Sequence, residues 1–327
     1  MNSLYVVTGQ TATSKTRFAL DLAQKYNGQL VNCDSRQIYK KLDIVTGKDL
    51  NFTDNKFHPN PMSNSTNIGY YIVTPPHNPL LDKEGKIGVV KNATRLWLYD
   101  IVDPRVAFSA HEFRVAAMKV ITEILAQGKT PIVVGGTYFY LQELLYERSK
   151  ERIPANWRLR KELSSNSVKE LQDRLKKLSE PFFSSLNNSE KNNPQRLIRK
   201  IEILTKNPDY VENNVNYKFS PFFSKIRIMI TGLRYKNKND LHAAIKKRVE
   251  ERLKNGAVDE VKKLIKQGYN EKNPGLKTIG YQQIFQYLNK SVAETAMIED
   301  WITKEIQYAK RQYTFMKTDP NIHWITL

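Results

Sequence analysis

Gly9-Gln10-Thr11-Ala12-Thr13-Ser14-Lys15-Thr16 limits the fold more than any other segment, because of what stands on either side of it. Leu4-Tyr5-Val6-Val7 precedes it and reads as a short buried strand. Phe18, Leu22 and Tyr26 follow at helical spacing, with Gly28 placed to cap that helix. Strand, glycine turn, Lys-Thr, helix is the pattern of a phosphate-binding P-loop. There backbone N–H groups cradle phosphate, the lysine adds charge and the hydroxyl reaches Mg²⁺. Gly9, Lys15 and Thr16 fit the pattern, and Ser14 stands where it has a second glycine. If that position requires a positive φ, Ser14 carries modest strain, while its N–H can still donate. Taken alone, the segment also suits an ordinary strand-to-helix turn or a P-loop that has lost its ligand. It equally leaves open kinases, GTPases and other nucleotide-binding, ATP-binding proteins.

Leu30-Val31-Asn32-Cys33 makes a second strand, so the chain opens a parallel α/β sheet, whose ligands sit beyond the carboxyl ends of strands. Pro131–Val134 and Ile226–Ile230 read as later core strands. Ser109 and Glu112 are spaced as a capping box opening a helix through Ile124. Leu241–Lys266 reads as one long charged helix, and Ile306–Met316 as a closing one. Between about 52 and 92 Asn, Pro, Gly and Ser dominate, and only Tyr70–Val73 and Ile87–Val90 read as strands. Residues 149–190 are polar and helical around Leu163, Leu171, Leu175 and Leu178. The expected architecture is an α/β fold with a P-loop NTPase-like parallel sheet core (1–148 and 191–327). It carries a helical insertion domain (149–190) and an irregular insert (52–92).

Lys and Arg outnumber Asp and Glu by 52 to 33, a formal charge of +19 that attracts phosphate-rich partners, although a Lys-rich genome gives the same bias. Cys33 is the only cysteine, which excludes an intrachain disulfide and a multi-cysteine metal site. His111, His242 and His323 have no metal-ligand spacing with it, so no zinc is expected. With no signal-type segment and no apolar run of spanning length, a cytoplasmic monomer without a membrane partner is expected.

Three further segments each lie just past a strand or turn. Asp34-Ser35-Arg36-Gln37-Ile38-Tyr39 supplies a carboxylate, Gly135-Gly136-Thr137 close backbone approach and a hydroxyl, and Lys277-Thr278-Ile279-Gly280-Tyr281-Gln282 another glycine turn. Singly, each is more often structural than functional. Together with Asp103-Pro104, Ser109-Ala110-x-Glu112-Phe113-Arg114, Asn192-x-Pro194-Gln195-Arg196-Leu197-x-Arg199, Leu241-His242-x-x-Ile245 and Ala309-Lys310-Arg311-Gln312-x-Thr314, they form an ordered series. In that order they resemble the tRNA dimethylallyltransferase family over nearly the whole chain. Ser14 and the length of 52–92 are the two departures.

The resemblance implies transfer of a dimethylallyl group from dimethylallyl diphosphate to N6 of the adenosine 3′-adjacent to the anticodon. It implies Asp34 as general base, Thr137 near the reacting centre, and Gly9 to Thr16 as a cradle for the leaving diphosphate. Arg248 is a further diphosphate contact, and Thr16 a ligand of Mg²⁺ as cofactor. The partner is a tRNA anticodon stem-loop, touched by Asp34, Ser35, Arg36, Gln37, Arg160, the run Gln195, Arg196, Leu197, Ile198, Arg199, and the run Lys277 to Gln282. Without the resemblance, the 195–200 run reads as a solvated basic helix face. The rival readings are an adenylate isopentenyltransferase acting on free nucleotides, a P-loop small-molecule kinase and a catalytically silent RNA-binding protein.

Overall fold

Short, mostly apolar segments supply the strands of one sheet: β1 (Asn2–Gly9), β2 (Gly28–Asn32), β3 (His58–Pro59), β4 (Gly69–Val73), β5 (Thr94–Trp97), β6 (Thr130–Val134), β7 (Ile226–Arg234) and β8 (Ile322–Thr326). The structure is a computed structural model that describes residues 2–48, 56–60, 68–74, 93–147, 153–210 and 217–327. The strand order is β3-β4-β5-β2-β6-β1-β7-β8. Strands β5, β2, β6, β1, β7 and β8 run parallel, and β3 and β4 add an antiparallel edge. The segment Ile87–Val90, expected as a strand, lies outside the described residues.

Val6 pairs with Val133 on one side and Ile230 on the other, while Ile132 pairs with Leu30. Leu4, Val6, Leu30, Val31, Ile132 and Val133 are all fully buried, as in a parallel sheet covered on both faces. This register brings the carboxyl ends of β2, β6 and β1 to one edge, with β6 between the other two. The turns after those three strands therefore open side by side.

Helix α1 (Lys15–Lys25) buries Ala19, Leu20 and Ala23 against Val7, Leu30 and Ile132. Phe18 and Leu22 are only partly buried, so its inward face is rotated from the expected Phe18-Leu22-Tyr26 stripe. Nor does Gly28 cap it. Asn27 takes the left-handed turn (φ 49°), and Gly28 opens β2, where a Cβ would lie 2.6 Å from Ile132 Cδ1. Helix α2 (Ala110–Ala126) opens on the expected capping box: Glu112 N donates to Ser109 Oγ at 3.2 Å, and Ser109 N to Glu112 Oε2 at 2.7 Å. Helix α3 (Tyr138–Leu145) follows β6.

The chain divides into two compact units, Met1–Leu145 with Phe219–Leu327, and Tyr146–Lys218. The second contains α4 (Trp157–Leu163), α5 (Val168–Leu178), α6 (Glu180–Ser185), α7 (Asn188–Lys191) and α8 (Pro194–Lys206). It reaches well beyond the expected boundary at 190 because α8 belongs to its core. Leu197, Ile201 and Leu204 pack with Leu163, Leu171 and Leu175, whereas Leu178 stays exposed. In the first unit, the expected single helix 241–266 is two, α9 (Lys238–Lys254) and α10 (Ala257–Lys266). Gly256, left-handed at φ 92°, separates them. Helices α11 (Tyr281–Leu288) and α12 (Glu294–Met316) complete that unit.

Candidate active site

The P-loop turn is shaped by three left-handed or glycine-only positions. Gly9 has φ 130°, and a Cβ there would sit 2.1 Å from the Leu233 carbonyl oxygen on β7. Ala12 (φ 62°) and Ser14 (φ 53°) are both left-handed. Ser14 thus occupies the conformation that favours glycine, the strain anticipated from its sequence position. The alternation turns successive N–H groups to one side, making an anion-binding concavity at the N-terminus of α1. The amides of Ala12, Thr13 and Ser14 find no acceptor among the described residues. Lys15 Nζ folds back to donate to Gln10 O at 2.5 Å, and Arg248 on α9 donates to Thr11 Oγ1 at 2.7 Å. Burial, then the neighbouring Arg248 charge, pulls the Lys15 ammonium down to about 7; Asp34 and Glu305 oppose the shift. A site that destabilises its own lysine charge in this way is built to receive negative charge.

Asp34 follows β2. Its Oδ1 accepts the Arg36 N–H at 2.8 Å in an Asx turn, and Asn32 Oδ1 accepts the Asp34 N–H at 3.1 Å. Asp34 Oδ2 accepts no hydrogen bond among the described residues. Thr137 follows β6: its Oγ1 accepts from Ser35 N at 2.9 Å and donates to Ser35 Oγ at 3.2 Å. Gly135 permits this closeness, since a Cβ there would meet Cys33 C and O at 2.2 Å. Gln37 Nε2 donates to Gly47 O at 2.9 Å and Thr46 O at 3.3 Å, and its Oε1 accepts from Tyr99 Oη at 2.9 Å. The Gln37 amide is held by the protein, with a second Oε1 lone pair left for a ligand. Thr16 lies half-buried on the first turn of α1.

Two side chains of α12 enter this region and were not on the expected site. Gln312 is buried; its Oε1 accepts the Thr11 N–H at 2.8 Å and its Nε2 donates to Gly136 O at 2.9 Å, joining the P-loop to the Thr137 turn. Tyr308 lies beside Thr137 and Asp34, and burial followed by the Asp34 charge raises its phenol. Gln312 sat within a motif at the chain's far end, with no local signal of where α12 docks.

The expected tRNA-contact residues divide by exposure. Lys277 is exposed, but Thr278, Gly280 and Tyr281 are buried. Thr278 Oγ1 donates to Gly275 O at 2.7 Å and Tyr281 Oη to Glu260 Oε1 at 2.5 Å, while Gln282 Nε2 donates to Leu276 O at 2.9 Å. A Cβ on Gly280 would lie 2.5 Å from Val45 Cγ1. Ile279 is half-buried. The buried members of the turn hold its shape and leave Lys277 exposed. In the helical unit the Leu197 and Ile198 side chains face the core, while Gln195 and Arg196 are exposed. Arg160 donates to both oxygens of buried Glu202 at 3.0 and 2.8 Å. Arg199 also reaches Glu202, and donates to Ile153 O at 2.7 Å. Their first role is to neutralise that carboxylate.

An anion cradle at the tip of β1 and a carboxylate just past β2, opening at one edge of a parallel sheet, fit a P-loop α/β group transferase. Residues 90–319 match the family model described as IPP transferase. The tRNA dimethylallyltransferase of Acetivibrio thermocellus is 32% identical over 99% of this chain and 92% of its own length. The crystal structure of the full-length tRNA isopentenylpyrophosphate transferase of Bacillus halodurans superposes with a TM-score of 0.62 at 26% identity, covering 100% of this chain and 90% of that one. A eukaryotic dimethylallyltransferase acting on tRNA shares the fold (TM-score 0.69, 24% identity), covering 100% of this chain and 74% of that one. The chain belongs to the IPP transferase family, and it is an enzyme, a prenyltransferase.

Proposed function

We propose that the chain transfers a dimethylallyl group from dimethylallyl diphosphate to N6 of the tRNA adenosine 3′-adjacent to the anticodon, releasing diphosphate. The observation that carries this reading is the side-by-side opening of the turns after β1, β6 and β2, which sets the P-loop cradle and the Asp34 carboxylate at one sheet edge, one suited to a leaving anion and the other to a proton. Adenine N6 is a poor nucleophile because its lone pair is delocalised into the ring. Asp34 Oδ2 accepts the N6 proton as nitrogen bonds to the allylic carbon. The carbon–oxygen bond breaks with its electron pair on the diphosphate, whose growing charge meets Lys15, Arg248 and the amides of Ala12 to Ser14.

The Thr16 hydroxyl is a hard oxygen ligand with no protein partner among the described residues, and it would hold Mg²⁺. That ion, when bound, supplies charge neutralisation at the leaving group. Ser35, Arg36 and Gln37 read the extruded adenine edge, with Thr137 fixing the Ser35 hydroxyl. Exposed Gln195, Arg196 and Lys277 meet the RNA backbone, supported by the basic excess.

Asp34→Asn is the direct test. Single-turnover transfer to tRNA should fall by about 100-fold or more, the scale of a lost general base, with tRNA affinity nearly intact. Turnover near wild type would remove Asp34 from that role.

A further inference from the structure

Strand β4, between β3 and β5, comes from the 52–92 insert, for which the sequence suggests no role, yet one of its side chains ends a chain of contacts running to the base-reading turn. Tyr71 Oη donates to Asp100 Oδ2 at 2.8 Å. Asp100, itself left-handed at φ 54°, accepts on Oδ1 from Lys48 Nζ at 2.5 Å. Lys48, its side chain 2% exposed, also donates to Tyr39 O and Asp43 Oδ1, both at 2.8 Å. It therefore clamps the two ends of the loop 39–48. That loop supplies the Thr46 and Gly47 carbonyls that hold the Gln37 amide, and Tyr99, adjacent to Asp100, donates to Gln37 Oε1. Asp100 and Leu98 (φ 67°) flank Tyr99 with left-handed backbone, a strained conformation that persists only where its surroundings hold it. Burial, followed by the Asp100 charge, raises the Tyr71 phenol, so it remains a hydrogen-bond donor at neutral pH.

We propose that β4 is a brace for purine recognition: Tyr71 is a positioning residue that acts through Asp100, Lys48 and Tyr99 to fix the Gln37 amide. The proposal rests on the reading of Gln37 as a base contact. Removing the Tyr71 hydroxyl frees one Asp100 oxygen and lets the Tyr99 segment relax, so Gln37 loses its set orientation toward the base. The donor cradle, at the tip of β1, is not part of this chain of contacts.

The test is a double-mutant cycle of Tyr71→Phe and Gln37→Ala, read as kcat/KM for tRNA and as KM for dimethylallyl diphosphate. Tyr71→Phe should lower kcat/KM for tRNA by about fivefold, the scale of one buried hydrogen bond, with the donor KM unchanged. In the Gln37→Ala background the same change should cost less than about twofold, because the two act as a unit. Additive losses, or an unaltered tRNA parameter in Tyr71→Phe, overturn the brace while leaving base reading intact. A silent Gln37→Ala overturns base reading, and the brace with it. Lys48→Met, which breaks the chain at its centre, should reproduce the Tyr71→Phe pattern; a normal tRNA kcat/KM in that variant counts against the proposal.

Discussion

Lys15 shows most directly what a single residue contributes. Burial and the Arg248 charge lower its pKa to about 7 in the free enzyme. A bound diphosphate reverses that balance, since an adjacent anion favours the charged amine. The sign follows: binding is tightest below pH 7, where the amine is already charged. It weakens as pH rises above 7, and at pH 8 it takes up part of a proton. Calorimetry of pyrophosphate binding at pH 8, in buffers of different ionisation enthalpy, should show more proton uptake for the wild type than for Lys15→Met, which shares the ligand's own titration; equal uptake in the two would contradict it. Ser14 makes a second prediction. Its left-handed φ of 53° costs about 1 kcal/mol relative to glycine. Ser14→Gly should raise the melting temperature modestly and leave pyrophosphate binding equal or tighter. Weakened binding would show that the Ser14 side chain itself contributes. The P-loop, the strand end at Asp34 and the turn at Thr137 were legible in the sequence because each signal is local: a glycine, a charge or a hydroxyl directly after an apolar strand.

At the scale of the element, α12 was the least legible part. Its helical periodicity is visible, but nothing near Gln312 indicates that it docks beside Thr11 and Gly136, roughly three hundred and under two hundred residues away in sequence respectively. The same holds for Thr278, Gly280 and Tyr281, whose polar and glycine character looks like a binding turn. The packing of Gly280 on Val45 and Trp301, and of Tyr281 on Glu260, depends on long-range contacts. The split of 241–266 at Gly256 was readable in principle, since a lone glycine in a helical run marks a left-handed break. Gln312→Ala leaves the buried Thr11 N–H and Gly136 carbonyl without their partner, a loss of about 1–3 kcal/mol. It should therefore weaken pyrophosphate binding about fivefold or more and lower the melting temperature together. A fall in melting temperature with unchanged binding would make Gln312 a packing residue only.

For the whole molecule, the parallel order β5-β2-β6-β1-β7-β8 sets the turns after β2, β6 and β1 side by side, and the helical unit packs on a core of its own. The boundary of that unit was misjudged at 190 because α8 is basic on one face and apolar on the other, and only the packing on Leu171 and Leu175 shows which unit it joins. The formal charge of +19 fits an RNA substrate better than a free nucleotide, though charge alone does not select one. Mass analysis of an unmodified tRNA anticodon-loop fragment, after incubation with the enzyme, dimethylallyl diphosphate and Mg²⁺ but no ATP, decides between them. The adenosine 3′ to the anticodon should gain one isopentenyl unit; an unaltered tRNA, with the group carried instead by AMP supplied in a parallel reaction, would contradict it.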